Sequence, residues 1–302
     1  MIKRTLYFGN PAYLKTKNEQ LVVELKETEE VKTATIEDLG VVILDNQQIT
    51  VTHSVISKLL ANNVAIITCN DIHHPTGLML NLDGHTLQSQ RFQFQIGASL
   101  PLKKQLWQQT VIAKILNQAN LLKAYNIPAN YLTKLASFVK SDDANNCEAQ
   151  AASYYWKKVF PIFPDFKRYR EGPPPNNLLN YGYAILRAVV ARCLVGSGLL
   201  PTLGIHHRNQ YNAYCLADDI MEPYRPFVDK VVYDIIRGHG KFLELSPSMK
   251  QKLLSIPAID VQIGNENSPL LNAVQRTTAS LAKCFEGKTK KLLYPVLQDS
   301  II

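Results

Sequence analysis

The spacing of hydrophobic and polar positions changes once along the chain, near Gly84. Before that point it is the spacing of strands. Leu21, Val23 and Leu25 point one way and Glu24 the other, the period of two that a half-buried strand needs. Val41-Val42-Ile43-Leu44 and Val64-Ala65-Ile66-Ile67 are β-branched runs of strand length. Turn signals separate these runs: Gly9-Asn10-Pro11, Asp45-Asn46, Asn62-Asn63, Asn70-Asp71 and Asp83-Gly84. A single helix over residues 54–61 interrupts them, with Val55, Leu59 and Leu60 on one face.

After Gly84 the period becomes helical. Trp107, Val111, Ile112, Ile115 and Leu116 recur at helical spacing, and a further helix runs through Glu148 towards Val159. Residues 161–175 are Pro-rich and basic, which makes them a loop or bent connection. Asn176-Asn177 can cap the next helix, whose apolar stripe is Leu178, Ile185, Leu186, Val189, Val190 and Cys193. Gly196-Ser197-Gly198 stops it. Residues 199–212 read as loop and 213–237 as one helix, though Pro223 disfavours regular helix at Glu222. Two more helices fit 248–255 and 268–286. Strands followed by a run of helices predict an α+β protein of two parts, a small β domain over 1–84 and a larger all-helical domain over 85–302.

Composition narrows the class. The 302 residues suit one large or two modest domains, and 46% apolar residues can fill a sizeable core. No apolar run approaches the roughly 18–20 residues of a membrane span, and the first residues lead into a strand rather than a signal peptide. The five cysteines are widely spaced without a CxxC, which argues against a disulfide framework and a cysteine zinc site and for a reducing, cytoplasmic setting. No Gly-rich loop follows a strand, and no GxSxG elbow is present, so nucleotide binding and serine hydrolysis are unsupported.

Charge divides where the pattern does. Residues 1–100 carry 8 basic and 10 acidic side chains, a net of −2; residues 101–302 carry 25 and 15, a net of +10. The positive field therefore belongs to the helical part, which fits nucleic acid or another polyanion as its partner. Plain solubility would use the same charge, so charge alone does not decide.

The most informative stretch runs from Gly198 through Gly204-Ile205-His206-His207-Arg208 to Asp218-Asp219-Ile220-Met221-Glu222-Pro223. Asp218 and Asp219 lie four and three residues before Glu222, so the three acids share a helix face. Like charges there repel unless a divalent cation binds between them. Hard oxygen ligands with an imidazole suit magnesium or manganese. The bland alternative is solvated acids paired with Arg208 or Arg225. Spacing does not say which histidine would be a ligand. Glu148 is a second candidate because its neighbours Ala149, Ala151 and Ala152 would let a phosphate approach, although a Glu in a first helical turn commonly just complements the dipole. Around these acids lies a basic belt that includes Arg168, Arg170, Arg208, Arg225 and Lys241, and nine of the 14 tyrosines fall between Tyr154 and Tyr233. Cations of this kind hold phosphates, and aromatic rings stack on unpaired bases. At least half of those tyrosines should be packing residues instead.

Three segments resemble one family. EAQAASYYW from Glu148, NYGYAILRAVVARCLVGSGLLPTLGIHHRNQYNAYCLADDIMEPYRPFVD from Asn180 and QRTTASLAKCF from Gln275 look like the CRISPR-associated spacer-acquisition endonuclease and integrase, in the form found with a single large effector nuclease (type II). The resemblance runs the full length. It implies metal ligands at Glu148, His207 and Glu222, with Asp219 in support. His206 beside the ligand position leaves that histidine fixed only to within one residue. It further implies a magnesium or manganese ion, double-stranded DNA as substrate, and attack of a fragment's 3′-hydroxyl on a phosphodiester at a CRISPR repeat. The implied assembly is a homodimer joined through the β domain, two of which flank a small companion protein as a four-plus-two heterohexamer, with the type II effector nuclease as a further partner. A catalytically silent DNA-binding scaffold and a nuclease of branched DNA are the competing functions.

Overall fold

The computed structural model describes residues 3–298 except 27, 29, 170, 171, 241 and 243, and not the side chain of His239. Two of the basic positions singled out above, Arg170 and Lys241, therefore lie outside the described residues.

The first 80 residues build two four-stranded sheets. One has the order β4 (Val31–Thr35), β3 (Gln20–Leu25), β2 (Ala12–Lys17), β6 (Thr50–Val51). Its β2–β3 hairpin is antiparallel, with Leu14 opposite Val23, and turns tightly at Asn18-Glu19, both at positive φ. Such a turn matches the twist of the strands it joins. The second sheet has the order β1 (Arg4–Phe8), β5 (Leu39–Leu44), β7 (Ala65–Cys69), β8 (Pro75–Met79), the first three parallel and β8 antiparallel. The helix α1 (His53–Ala61) precedes β7.

The β-branched runs are explained by what covers the second sheet. Val42, Val64 and Ile66 pack with Leu14, Leu21, Val55 and Leu59 in the core of the β part. Val41, Ile43, Ile67 and Cys69 point the other way, into the core of the helical part. A sheet buried on both faces needs continuous apolar strands rather than alternating ones.

The helices are α2 (Gln88–Ile96), α3 (Leu100–Ala124), α4 (Asn130–Ala136), α5 (Cys147–Trp156), α6 (Asn176–Gly196), α7 (Cys215–Met221), α8 (Arg225–His239), α9 (Pro247–Leu254) and α10 (Leu270–Phe285). Helix α6 is the spine. Although scattered polar residues interrupt its apolar run, it is long and apolar enough by overall composition to cross a membrane, but 83% of that stretch is buried inside the protein. At Gly182 a Cβ would meet Val228 Cγ1 at 2.5 Å, so glycine lets α6 and α8 approach closely. Asn176 does not cap α6. It is its first residue and pins the preceding loop instead, its amide nitrogen donating to the carbonyls of Lys167 and Pro173 and its oxygen accepting from Tyr169 N and Arg168.

Two features depart from the sequence reading. The helical part is not all-helical: β9 (Asp260–Ile263), β10 (Glu266–Pro269) and β11 (Pro295–Val296) form a three-stranded sheet of order β10-β9-β11. These strands of two to four residues are too short to show a period. The stretch 213–237 is likewise not one helix but α7 and α8 joined by a 3-10 turn, Glu222–Tyr224. Asn117 of α3 answers the carbonyl at the break, donating to Pro223 O at 2.8 Å and to Pro295 O at 3.0 Å. The break turns Glu222 towards α3, and the site is built there.

Candidate active site

Asp219 organises the histidine loop. It is fully buried, and its Oδ2 accepts the backbone N–H groups of Ile205 at 2.7 Å and His206 at 3.0 Å. Its Oδ1 accepts the N–H of His207 at 3.2 Å and faces His207 Nδ1 at 2.5 Å. A Cβ on Gly204 would meet His207 O at 2.4 Å and Asp219 Oδ2 at 2.8 Å, so only glycine allows the loop to wrap the carboxylate this closely. Gln95 of α2 pins the other side, donating to Leu200 O and Leu203 O, each at 3.0 Å.

The two histidines have different surroundings. His207 has Nδ1 committed to Asp219, which leaves Nε2 for a ligand, the arrangement of an oriented imidazole. The Asp219 hydrogen bond raises its pKa above the usual histidine value against the opposing effect of burial, with Glu222 and Asp218 adding to the rise. His206 instead stacks flat on Trp107 at 4.1 Å between ring centroids, with Asp142 Oδ1 3.6 Å from its Nδ1. The geometry thus separates the two residues that spacing alone left open.

Glu148 and Glu222 come together on one cation. The Nζ of Lys114, on α3, lies 2.6 Å from Glu148 Oε1 and 2.6 Å from Glu222 Oε2. Arg225 Nη2 lies 2.9 Å from Glu222 Oε1. Burial alone would raise the Glu222 carboxyl, but Arg225, then Lys114, outweigh it and hold the group below the usual carboxylate range. Glu148 is set by the start of α5, where Asp143 accepts the N–H groups of Cys147 at 2.8 Å and Glu148 at 2.9 Å. That is an N-terminal cap supplied from three residues before the usual cap position, Asn146.

Asp218 is not solvated. It is buried, pairs with Arg187 at 2.7 Å and accepts from Asn212 at 2.7 Å. The pairing with Arg208 or Arg225 weighed for Asp218 and Asp219 does not form; among the described residues Arg208 makes no ion pair and is exposed.

Of the basic belt, Arg168 and Arg225 line a cleft of about 800 Å³ together with Arg187, Asn180, Tyr183 and Tyr211. Both are also held internally. Arg168 donates to Asn176 Oδ1, Asn180 Oδ1 and Tyr169 O, and both guanidiniums lie over the Tyr183 ring. Arg208 lines a separate recess of about 440 Å³ beside His207. Tyr155, Tyr181, Tyr183 and Tyr224 are buried packing residues, while Tyr169 and Tyr211 are exposed.

Sequence reasoning passed over Lys114, Trp107 as the partner of His206 and Asp143 as a cap, and it placed Gly204 in the histidine loop without giving its role. One signal for Lys114 was present: it lies seven residues after Trp107 and three after Val111, a charge inside the buried stripe of α3.

The donor set fits a hard divalent ion. Two glutamate carboxylates and an imidazole nitrogen are ligands such ions take. Glu222 Oε2 is a buried acceptor that Lys114 approaches without hydrogen-bond alignment. As they stand, no three His, Cys, Asp or Glu side chains among the described residues converge as an ion would need.

The acids are held by Lys114, Arg225 and Arg187 and by the N–H groups of the histidine loop, and the arginine-lined cleft beside them suits an anionic chain. The class defined in this way is that of nucleases. The chain belongs to the Cas1 family of CRISPR-associated endonucleases. The family model described as CRISPR associated protein Cas1 matches residues 6–241. The CRISPR-associated endonuclease Cas1 of Neisseria meningitidis serogroup C (strain 8013) is 35% identical over 295 residues, covering 97% of this chain and 95% of its own. An endonuclease Cas1 of Pyrobaculum aerophilum is 26% identical over 287 residues, 90% of this chain and 95% of its own. In fold, the chain is similar to a CAS1 protein from Thermotoga maritima (TM-score 0.75, 16% identity, 95% of this chain and 98% of that one). It is similar also to a casposase bound to integration product (TM-score 0.75, 21% identity, 97% and 92%).

Proposed function

We propose that the protein is a divalent-metal-dependent DNA endonuclease and integrase of CRISPR adaptation. It joins the 3′-hydroxyls of incoming DNA fragments to phosphodiesters at a CRISPR repeat. The observation that carries this reading is the meeting of Glu148 and Glu222 on one buried cation, with an imidazole oriented by Asp219 in the electrostatic reach of Glu222. Glu148, Glu222 and His207 Nε2 are the groups that would hold magnesium or manganese. When bound, such an ion supplies Lewis-acid polarisation of the scissile phosphate. The chain's own part is positioning. Asp219 fixes the imidazole, Asp143 fixes the helix start at Glu148, and Arg225 balances Glu222 while facing the cleft. Arg168, Arg208 and Arg225 would hold the phosphate backbone without reading its sequence.

The name of one solved structure of similar fold describes a Cas6-RT-Cas1–Cas2 complex (TM-score 0.74, 21% identity, 97% of this chain and 36% of that one). It supports a companion protein as partner; the small size of that companion and the four-plus-two assembly of two homodimers belong to this proposal. The β part, with a net charge of −2 over residues 1–100, is the element proposed to join each homodimer. The type II effector nuclease is the further partner in this reading. Five free, buried cysteines support a cytoplasmic setting.

The test incubates the protein and its companion with short duplexes bearing 3′-hydroxyls, a repeat-bearing plasmid and magnesium or manganese. Covalent joining that is lost in Glu148→Ala, His207→Ala and Glu222→Ala is the expected result. Joining that survives these substitutions removes the site assignment. DNA binding without joining under every metal and partner condition makes the protein a scaffold, and cleavage confined to branched DNA makes it a branch nuclease.

A further inference from the structure

The cation that Glu148 and Glu222 share belongs to the protein itself. Lys114 projects from the middle of α3, its side chain 10% exposed, and its ammonium is 2.6 Å from an oxygen of each carboxylate. A divalent ion held by these two carboxylates would need the space the ammonium fills. Two centres of positive charge do not share that volume. An ion taking that place would have to displace the ammonium.

We propose that Lys114 is a built-in counterion that occupies the position between Glu148 and Glu222 in the ion-free protein, so that a divalent ion binds by displacing it. This rests on the metal-dependent reading above. Three observations point to exchange rather than to a permanent ion pair. Glu222 Oε2 is buried with a single positive charge 2.6 Å away, and a doubly charged ion in that place would attract the carboxylate more strongly. Glu222 keeps a second partner through its other oxygen, Arg225 at 2.9 Å, and so is not abandoned when Lys114 moves. Glu148, the other anchor, is partly exposed, which leaves an open side for exchange.

The device has a clear physical use. Without an ion, two adjacent carboxylates in a protein interior repel each other and lose their hydration. The tethered ammonium keeps them ionised and in place. The cost is weaker ion binding, because each ion must first release the lysine. A displaced ammonium still hangs beside the site, where a DNA phosphate can take over its charge. Lys114 is accordingly a positioning residue that sets the ion affinity.

The experiment measures manganese binding to the full-length protein, without DNA, by electron paramagnetic resonance of the free ion. Lys114→Met and Lys114→Gln keep most of the side-chain length and remove the charge. Both should bind manganese about tenfold or more tightly than the wild type, and manganese should raise their melting temperatures by more than it raises the wild type's. Glu148→Gln, made in the wild type and in Lys114→Met, should weaken binding in each background. If the Lys114 variants bind manganese no more tightly than the wild type, while Glu148→Gln still weakens it, the counterion role is overturned and the metal reading stands. If Glu148→Gln changes nothing in either background, the metal reading fails and the counterion role falls with it.

Discussion

One carboxylate, Asp219, holds His207 twice, through the ring Nδ1 at 2.5 Å and through the backbone N–H at 3.2 Å. The same group collects the two preceding backbone N–H groups. The conformation of the loop and the aim of its imidazole are therefore one feature. Asp219→Ala would leave three backbone donors without their acceptor and the ring free to turn. A loss of at least about 3 kcal/mol is expected, since hydrogen bonds to a charged acceptor are each worth about 1.5–3 kcal/mol. Urea titration measures it. Near-wild-type stability with full joining activity would show that the loop holds its shape by other means.

His206 and His207 should separate in function. His207→Ala removes the ring nitrogen that Asp219 orients and should cut strand joining by more than about ten- to a hundredfold, the cost of losing even a ligand's supporting partner. His206→Ala removes a ring stacked on Trp107 and should cost about 0.5–1.5 kcal/mol of stability, as stacked aromatic pairs do, with joining within a few-fold of wild type. Thermal melts and a joining assay on the two variants check both. The opposite ranking in the joining assay would move the ligand role to His206.

Much of this arrangement was legible in the chain, for reasons that can be named. Val41–Val42–Ile43–Leu44 announced a strand because a sheet covered on both faces must be apolar throughout, and β5 is such a strand. Pro223 marked Glu222 as an irregular point, because the residue before a proline is pushed out of regular helix, but the full break into α7 and α8 was not foreseen. The C-terminal sheet was not legible, because a four-residue strand such as Asp260–Ile263 presents too few positions to reveal a period. At the site, the acids and histidines stood out by chemical type. Lys114 did not, since a lysine in a basic domain looks like surface until its neighbours are known to be buried. Asp143 was hidden differently. It caps α5 from a positive-φ position, which helix-start patterns do not anticipate.

Two arginines of the basic belt should respond in different assays. Arg208 is exposed and lacks an ion pair among the described residues. Arg208→Ala should weaken DNA binding, lower the slope of log affinity against log salt by about 0.9 for each phosphate that the variant no longer neutralises, and leave the melting temperature unchanged. Arg168 is bonded to Asn176, Asn180 and Tyr169 and lies over Tyr183. Arg168→Ala should therefore lower stability as well, by about 1–3 kcal/mol. Salt titrations of DNA affinity beside thermal melts distinguish them. An Arg168→Ala protein of unchanged stability would mean that these bonds contribute nothing net.

The pH dependence of stability should carry a signature of Asp229. This fully buried carboxyl on α8 accepts from Tyr155 at 2.7 Å and Tyr183 at 2.5 Å, tying the helix that bears Glu148 to α6 and α8. Burial pushes its pKa up to about 6, although the two tyrosines, Arg225 and Arg168 all pull the other way. In the unfolded chain an aspartate titrates near 3.9. Between about pH 4 and pH 6 the folded protein therefore binds more protons than the unfolded one, and this group's contribution to stability falls as pH rises through that window. Above it the loss is complete, on the order of 3 kcal/mol for a carboxyl moved from near 3.9 to about 6. Asp229→Asn keeps an acceptor for the tyrosines and removes the ionisation. Its stability relative to wild type should climb between pH 4 and pH 6 and level off above, in paired urea titrations at fixed ionic strength. A difference that stays constant across that range would mean that Asp229 titrates alike in the folded and unfolded chains.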